Sequence, residues 1–172
     1  MAPTPDPTRR TVVLGLGNPL MEDDGFGLAV VDRLRNSYEV GPEVELIDGG
    51  TWGMNLLPAI EAASELILVD AIRSGAAPGT VVELERAQLP RYLAHKLSPH
   101  QIDLKEVLAL AEWRGTLPER TVAIGAEPAA IEMSVGLTPA LADAVPLALA
   151  AVRARLADWG RSCDPRRAMA DA

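Results

Sequence analysis

Residues 12–27 read VVLGLGNPLMEDDGFG, an apolar run that passes into glycines and then into three consecutive acids. An apolar run followed by glycines and an amphipathic stretch predicts a strand that gives way to a helix. The acids Glu22, Asp23 and Asp24 stand at that junction. Adjacent negative charges repel one another, and one capping residue is enough for a helix. We therefore expect this junction to face something cationic.

The rest of the chain alternates apolar strand-like runs with helical patterns, which predicts an α/β fold. We expect a three-layer sandwich, with a five-stranded, mostly parallel twisted sheet and helices on both of its faces. Strands are predicted over 11–16, 44–47, 65–70, 80–84 and 121–125, and helices over 24–37, 52–63, 101–113 and 138–159. Residues 80–84 alternate more than the other strands, which favours an edge position. Pro58 is expected to mark a kink or a boundary of the second helix, and Pro146 is expected to interrupt the last helix.

A length of 172 residues allows one domain with a real core, which we place over residues 11–159. Residues 1–10 contain three prolines and lack apolar periodicity, so they predict a disordered lead. Residues 160–172 are expected to form a loose C-terminal tail.

Composition argues against two classes of partner. A net charge of −8 and an aromatic content of 3% disfavour nucleic acid, which needs basic and stacking side chains. No apolar run approaches the roughly 20 residues of a membrane span, so no membrane partner is expected.

The pair Arg9-Arg10 is not followed by an export-signal pattern, because the apolar run after it soon meets acids. The single cysteine, Cys163, suits a reducing compartment, so we expect a cytoplasmic protein.

Polar side chains follow three of the predicted strands. In open parallel sheets the ligand site lies beyond the carboxyl ends of the strands. Asp24 follows the first strand, Asp48 the second, and Asp70 ends the third, so three carboxylates are predicted at one edge. His100 joins them if its loop crosses the same edge. Two acids and an imidazole suit zinc or nickel, whereas calcium and magnesium prefer oxygen alone.

Each of these residues also has a purely structural interpretation. Asp24 is as well placed to cap the first helix as to bind a metal, and it could do both. Asp48 could fix the following Gly-Gly turn through its side chain, and His100 could be an ordinary surface residue. A dinucleotide-binding loop is disfavoured, because Leu20 stands where such a loop needs its third glycine.

Several separated blocks resemble the hydrogenase maturation endopeptidases, which trim the C-terminal extension from the large subunit of nickel-iron hydrogenase. The blocks are GLGNPL at 15–20 with Asp23, Asp24 and Gly27, DGGTWG at 48–53, VDA at 69–71, SPHQ at 98–101 and GLTP at 136–139. The opening block alone also resembles bacterial peptidyl-tRNA hydrolases. Those enzymes continue with a Thr-Arg-His-Asn-like segment, and this chain has acids there.

The resemblance implies a phosphorylase/hydrolase-like sandwich in which Asp24, Asp70 and His100 bind a metal together. It implies that this metal is the Ni²⁺ carried by the precursor of the hydrogenase large subunit, the expected partner. Whether the isolated protein holds Zn²⁺ or another divalent metal is left open. Asp23 is expected to support the ligands without binding the metal itself.

Our mechanistic hypothesis is a metal-dependent endopeptidase in which the metal polarises the scissile carbonyl or activates water. Asp48 is the expected catalytic residue, as a proton acceptor, and Gly49, Gly50 and Thr51 are expected to bind the substrate backbone. Two alternatives stay open from the sequence: a non-catalytic nickel-recognition chaperone, and another hydrolase, such as a peptidyl-tRNA hydrolase, on the same scaffold.

Overall fold

The computed structural model describes residues 8–90 and 99–167, with the side chains of 99–103 outside that description. Its strands are β1 Thr11–Leu16, β2 Tyr38–Val40, β3 Val44–Gly50, β4 Glu65–Ala71, β5 Val81–Glu85, β6 Arg120–Ala126 and β7 Cys163–Pro165. Its helices are α1 Phe26–Ser37, α2 Leu57–Ala62, α3 Pro99–Trp113 and α4 Pro139–Asp158. Short 3-10 turns at Glu22–Gly25 and Gly53–Leu56 lead into α1 and α2.

Five strands form one sheet in the order β3-β1-β4-β6-β5. The first four are parallel, and β5 pairs antiparallel with β6 at the edge. The mostly parallel five-stranded sheet and the edge position of residues 80–84 are thereby confirmed.

Helices cover both faces of the sheet, as the sequence predicts. One core cluster joins Val13, Ile67 and Val69 to side chains of α1 and α4. The other joins alternate residues of the same strands to side chains of α2 and α3, such as Ile60 and Leu108. Because both faces are buried, the central strands read as continuous apolar runs. This packing confirms the three-layer arrangement.

Two proline predictions have different outcomes. Pro58 lies in the first turn of α2, where its missing N–H costs nothing, so it marks a helix boundary. Pro146 lies inside a continuous α4, and the predicted interruption is wrong. Pro146 is exposed, so the carbonyl that loses its helical partner can bond to water.

The loose tail predicted from residue 160 is wrong for the residues described there. Cys163–Pro165 pairs antiparallel with Tyr38–Val40 as β7, and the side chain of Arg161 is buried. At the other end, the carbonyl of Arg10 accepts hydrogen bonds from the N–H groups of Ser64 and Glu65. The predicted disordered lead therefore extends too far. Residues 1–7 and 168–172 lie outside the described residues.

None of the helices in the described ranges is both long and apolar enough to cross a bilayer.

A buried charge cluster ties the tail to the amino ends of the strands. Glu65 is 1% exposed and accepts hydrogen bonds from Arg161 Nε at 2.8 Å and Arg120 Nη1 at 2.8 Å. The hydroxyl of Thr11 also donates to Glu65. Burial alone would raise the pKa of the Glu65 carboxyl, but the bonds from Arg161, Thr11 and Arg120 hold this pKa below its usual value.

This cluster predicts a pH-dependent loss of stability. A carboxyl whose pKa is lowered by folding stabilises the fold above its unfolded pKa and loses that contribution as the pH falls through the folded pKa. Replacing Arg161 by Ala breaks a buried pair, and we expect the free energy of unfolding at pH 7 to fall by about 3 kcal/mol. Urea unfolding at pH 7 and at acidic pH measures both effects.

The matched control is Asp32→Ala, which removes an exposed ion pair with Arg35 and should cost less than about 1 kcal/mol. Acidification should reduce the difference in free energy of unfolding between wild type and Arg161→Ala. If this difference stayed constant from pH 7 to acidic pH, the stabilising role of the ionised Glu65 carboxyl would be contradicted.

Candidate functional site

The carboxyl ends of β1, β3 and β4 meet at one edge of the sheet, and three of the predicted site residues lie there. Gly15 of β1 pairs with Asp48 of β3 on one side and with Val69 of β4 on the other. Asp70 follows directly in β4. The 3-10 turn that contains Asp24 begins six residues after β1 ends and packs against β4.

Two glycines bring this acidic turn onto the sheet. A Cβ on Gly27 would lie 2.0 Å from the carbonyl oxygen of Val69, so α1 can cross β4 this closely only with glycine there. Gly17 has φ +112°, and a Cβ on it would lie 1.7 Å from the carbonyl oxygen of Asp24. Asp24 therefore lies over the ends of β1 and β4, close in the fold to Asp70.

Asp24 and Asp70 are both buried carboxylates, 2% and 1% exposed. Oδ2 of Asp24 accepts a hydrogen bond from the N–H of Asn18 at 2.9 Å. Oδ1 of Asp70 accepts one from the N–H of Ala71 at 2.8 Å. Asp24 is not the cap of α1, because the N-cap position is Gly25 and no side chain caps it. The structural interpretation of Asp24 as a helix cap is therefore wrong.

Two carboxylates buried at one edge make a cation favourable there. Removing a carboxylate from water costs free energy unless hydrogen bonds or a positive charge compensate, and two like charges raise that cost. A divalent metal would oppose both charges at once. The metal site therefore stays a prediction that the donor types suit.

Asp48 has different surroundings from Asp70. It is exposed, and it pairs in register with Gly15, whose Cβ position faces α1. Successive side chains of a strand point to opposite faces of the sheet. Val69 packs in the core cluster with α1 and α4, so the side chain of Asp70 points to the face covered by α2 and α3. The two carboxylates therefore lie on opposite faces of the sheet.

The segment after Asp48 combines a bulge with an open turn. Between Gly15 and Leu16 of β1, the partner in β3 advances from Asp48 to Gly50, so Gly49 is the extra residue of a β-bulge. Gly49 is buried within the fold, whereas Gly50 is half-buried and Thr51 is exposed. Gly50 and Thr51 are the members of this segment that a substrate chain can approach.

His100 lies in the first turn of α3, and its side chain is outside the described residues. The last turn of α3 leads into the amino end of β6, where Arg120 pairs with Glu65. α3 also packs against the turn Gly53–Leu56, which follows the carboxyl end of β3. The backbone of His100 thus starts a helix at the level of the site, on the face to which Asp70 points.

The side chain of His100 is not among those described. Among the described side chains, no group of three or more His, Cys, Asp or Glu residues is placed to hold a metal ion. The predicted set of Asp24, Asp70 and His100 therefore stays a prediction.

Asp23 is fully buried and holds the loop that follows β6. Its Oδ2 accepts the N–H groups of Ala129 at 2.8 Å and Ala130 at 3.1 Å. Its Oδ1 accepts the N–H of Thr138 at 2.8 Å, and the hydroxyl of Thr138 reaches both oxygens. Asp23 thus fixes the two ends of loop 129–138. Its predicted support of the metal ligands stays a prediction.

Sequence reasoning missed the residues that complete this loop architecture. Thr138 was expected to open the last helix and belongs to the GLTP block, but its bond to Asp23, 115 residues away in sequence, was not foreseen. Glu127 is buried and accepts the N–H groups of Ser74 and Gly75, which fixes the loop after β4. No local pattern marks either role, because the partners are distant in sequence.

Comparison with known proteins agrees with this architecture. A family model described as "HycI: Hydrogenase maturation protease" matches residues 28–155. The hydrogenase 2 maturation protease of Escherichia coli K12 is 37% identical over 163 residues, covering 94% of this chain and 99% of its own length. The hydrogenase expression/formation protein HupD of Rhodobacter capsulatus is 39% identical over 153 residues, covering 88% of this chain and 73% of its own.

Solved structures show the same likeness. The hydrogenase maturating endopeptidase HybD from E. coli superposes with a TM-score of 0.87 at 37% identity, covering 91% of this chain and 98% of that one. The hydrogenase 2 maturation peptidase from a Thaumarchaeota archaeon gives a TM-score of 0.65 at 30% identity, covering 86% and 98%.

The contacts of Asp23 predict a local effect on its loop. Asp23→Asn replaces one acceptor oxygen by an NH₂ group that faces N–H or O–H donors. We expect the free energy of unfolding to fall by about 1–3 kcal/mol. Hydrogen exchange followed by mass spectrometry should show faster exchange in peptides that cover residues 129–138.

Glu132→Gln is the matched control, because Glu132 lies in the same loop and is exposed. Its exchange should equal that of wild type. If Asp23→Asn also left exchange in the loop unchanged, Asp23 would not be its anchor.

Proposed function

The chain belongs to the hydrogenase maturation proteases, and on that premise we propose that its substrate is the precursor of a nickel-iron hydrogenase large subunit. The chain is an endopeptidase of hydrogenase maturation, as its relatives are. The proposed reaction is hydrolysis of one peptide bond, which releases the C-terminal extension of the precursor. The buried pair Asp24 and Asp70 at one sheet edge is the observation that carries this proposal.

We propose that Asp24, Asp70 and His100 recognise the Ni²⁺ that the precursor already carries. Carboxylate oxygens and an imidazole nitrogen suit nickel and zinc, so the donor types fit. Two carboxylates at one edge of the sheet support a doubly charged ion, and the position of His100 in the first turn of α3 supports its part in the proposal. A precursor without nickel would lack the ion that these donors recognise, so cleavage would depend on prior metal loading.

The proposed cleavage depends on holding the scissile peptide bond close to the metal ion. A metal ion near the scissile bond can polarise its carbonyl and lower the pKa of a bound water to about 7. Asp48 is proposed as the proton acceptor. Asp48 is exposed, which supports access to solvent and substrate. Because Asp48 and Asp70 lie on opposite faces of the sheet, the substrate chain has to cross the carboxyl edge of the sheet to reach both. Gly50 and Thr51 lie beside that route.

The decisive assay incubates purified protein with nickel-loaded and nickel-free precursor and follows the mass of the large subunit. We expect removal of the extension only from the nickel-loaded form. Asp24→Ala, Asp70→Ala and His100→Ala should each slow processing by about 100-fold or more, because loss of a metal contact removes several kcal/mol of transition-state stabilisation.

Asp32→Ala serves as the control, because it removes an exposed carboxylate from α1 away from the edge, and it should process at the wild-type rate. Full processing by all three site variants would overturn the metal site. A wild-type protein that binds the precursor and leaves its extension attached would indicate a nickel-recognition chaperone. Cleavage of peptidyl-tRNA without cleavage of the precursor would indicate a different hydrolase. Metal analysis of the isolated protein tests for resident Zn²⁺.

A further inference from the structure

Exposed large apolar side chains concentrate around the site. Seven such residues are found in the described part of the chain, and five of them follow the carboxyl ends of strands. We call these five the apolar rim: Leu20, Trp52, Met54, Met133 and Val135. The other two lie elsewhere, Trp113 at the end of α3 and Leu147 within α4.

The rim has two sides with the buried carboxylates between them. Trp52 and Met54 follow β3, whereas Met133 and Val135 follow β6. In the sheet, β1 and β4 lie between β3 and β6. Asp70 lies at the end of β4, and Asp24 lies in the turn that follows β1 and packs against β4. A polypeptide laid across the site would therefore meet apolar side chains before and after the carboxylates.

The backbone of the β6 side is held rigidly. The N–H of Ser134 donates to the carbonyl of Leu20 at 3.1 Å, and the N–H of Glu22 donates to the carbonyl of Ser134 at 2.9 Å. Asp23 fixes the two ends of the same loop. Met133 and Val135 are nevertheless 88% and 82% exposed. A fixed loop that presents apolar side chains to water is typical of a binding surface.

The charge around the rim selects among partners. Glu132 and Asp48 are exposed, and Asp24 and Asp70 add negative charge at the centre. Glu22, in the turn that contains Asp24, adds a further negative charge. Arg73, in the loop after β4, is an exposed positive charge at this edge. The surroundings favour a segment that combines apolar and basic side chains.

We propose that the apolar rim binds the precursor on both sides of its scissile bond, through a segment that carries apolar side chains and at least one lysine or arginine. This inference rests on the proposed function and adds to it the surface and the chemistry by which the substrate is held. The rim sets affinity, while Asp24, Asp70 and His100 recognise the metal.

The test compares rim variants with apolar controls of similar exposure. Met133→Ser/Val135→Ser and Trp52→Ser remove rim contacts, whereas Leu147→Ser and Trp113→Ser remove exposed apolar side chains elsewhere. With nickel-loaded precursor as substrate, we expect KM to rise about tenfold or more in the rim variants, because a lost apolar contact is worth that much in recognition. We expect kcat to stay within about twofold of wild type when measured at saturating precursor.

A charge variant tests the second half of the proposal. Glu132→Lys should raise KM at low salt, and the increase should shrink at 0.5 M salt, because screening weakens the repulsion of a basic segment (the Debye length is roughly 10 Å at 0.1 M and 3 Å at 1 M). A salt-independent KM equal to that of wild type would contradict a basic partner segment.

The outcomes separate this inference from the proposed function. If wild type cleaves the precursor and the rim variants keep the wild-type KM, the rim proposal is overturned. A second result would also overturn it. If KM is unchanged, and sedimentation shows a dimer for wild type but a monomer for the rim variants, then the rim binds a second copy of the chain. If wild type binds the precursor in calorimetric titration without cutting it, and rim variants lose this binding, the rim is supported and the proposed activity fails.

Discussion

The close contact of the turn Glu22–Gly25 and the start of α1 with the ends of β1 and β4 positions everything else at the site. Glycine at positions 17 and 27 allows backbone to pack on backbone, with carbonyl oxygens at distances that no Cβ could tolerate. This contact buries Asp24 over the sheet edge where Asp70 ends β4. Two carboxylates that would repel each other are thereby held together by the fold. The free energy of folding, rather than a local sequence preference, maintains this arrangement.

The three neighbouring acids have separate roles because they face different parts of the fold. Asp23 points to loop 129–138 and is saturated by N–H and O–H donors from it. Asp24 faces the ends of the strands and is the proposed metal ligand. Glu22 has φ +47° and an oxygen without a hydrogen-bond partner among the described residues. A short acidic run thus supplies a loop anchor, a proposed ligand and a third negative charge beside them.

Much of the architecture was predictable from sequence because it follows from periodicity. Continuous apolar runs identified the central strands, and the alternating pattern of residues 80–84 identified the edge. Predictions failed where long-range contacts decide the outcome. The three-residue strand at Cys163–Pro165 exists only through its pairing with β2, and Pro146 is tolerated because its helix face is open to water. The sequence likewise predicted acids at one edge without distinguishing Asp48, which lies on the opposite face from Asp70.

The central proposal is that Asp24, Asp70 and His100 surround one metal ion. Anomalous diffraction from crystals of the protein soaked in Ni²⁺, recorded at the nickel absorption edge, tests it most directly. We predict a single strong peak at the carboxyl edge of the sheet, within bonding distance of a carboxylate oxygen of Asp24, one of Asp70 and an imidazole nitrogen of His100. Nickel bound elsewhere, or a peak that lacks any one of these three ligands, would contradict the account.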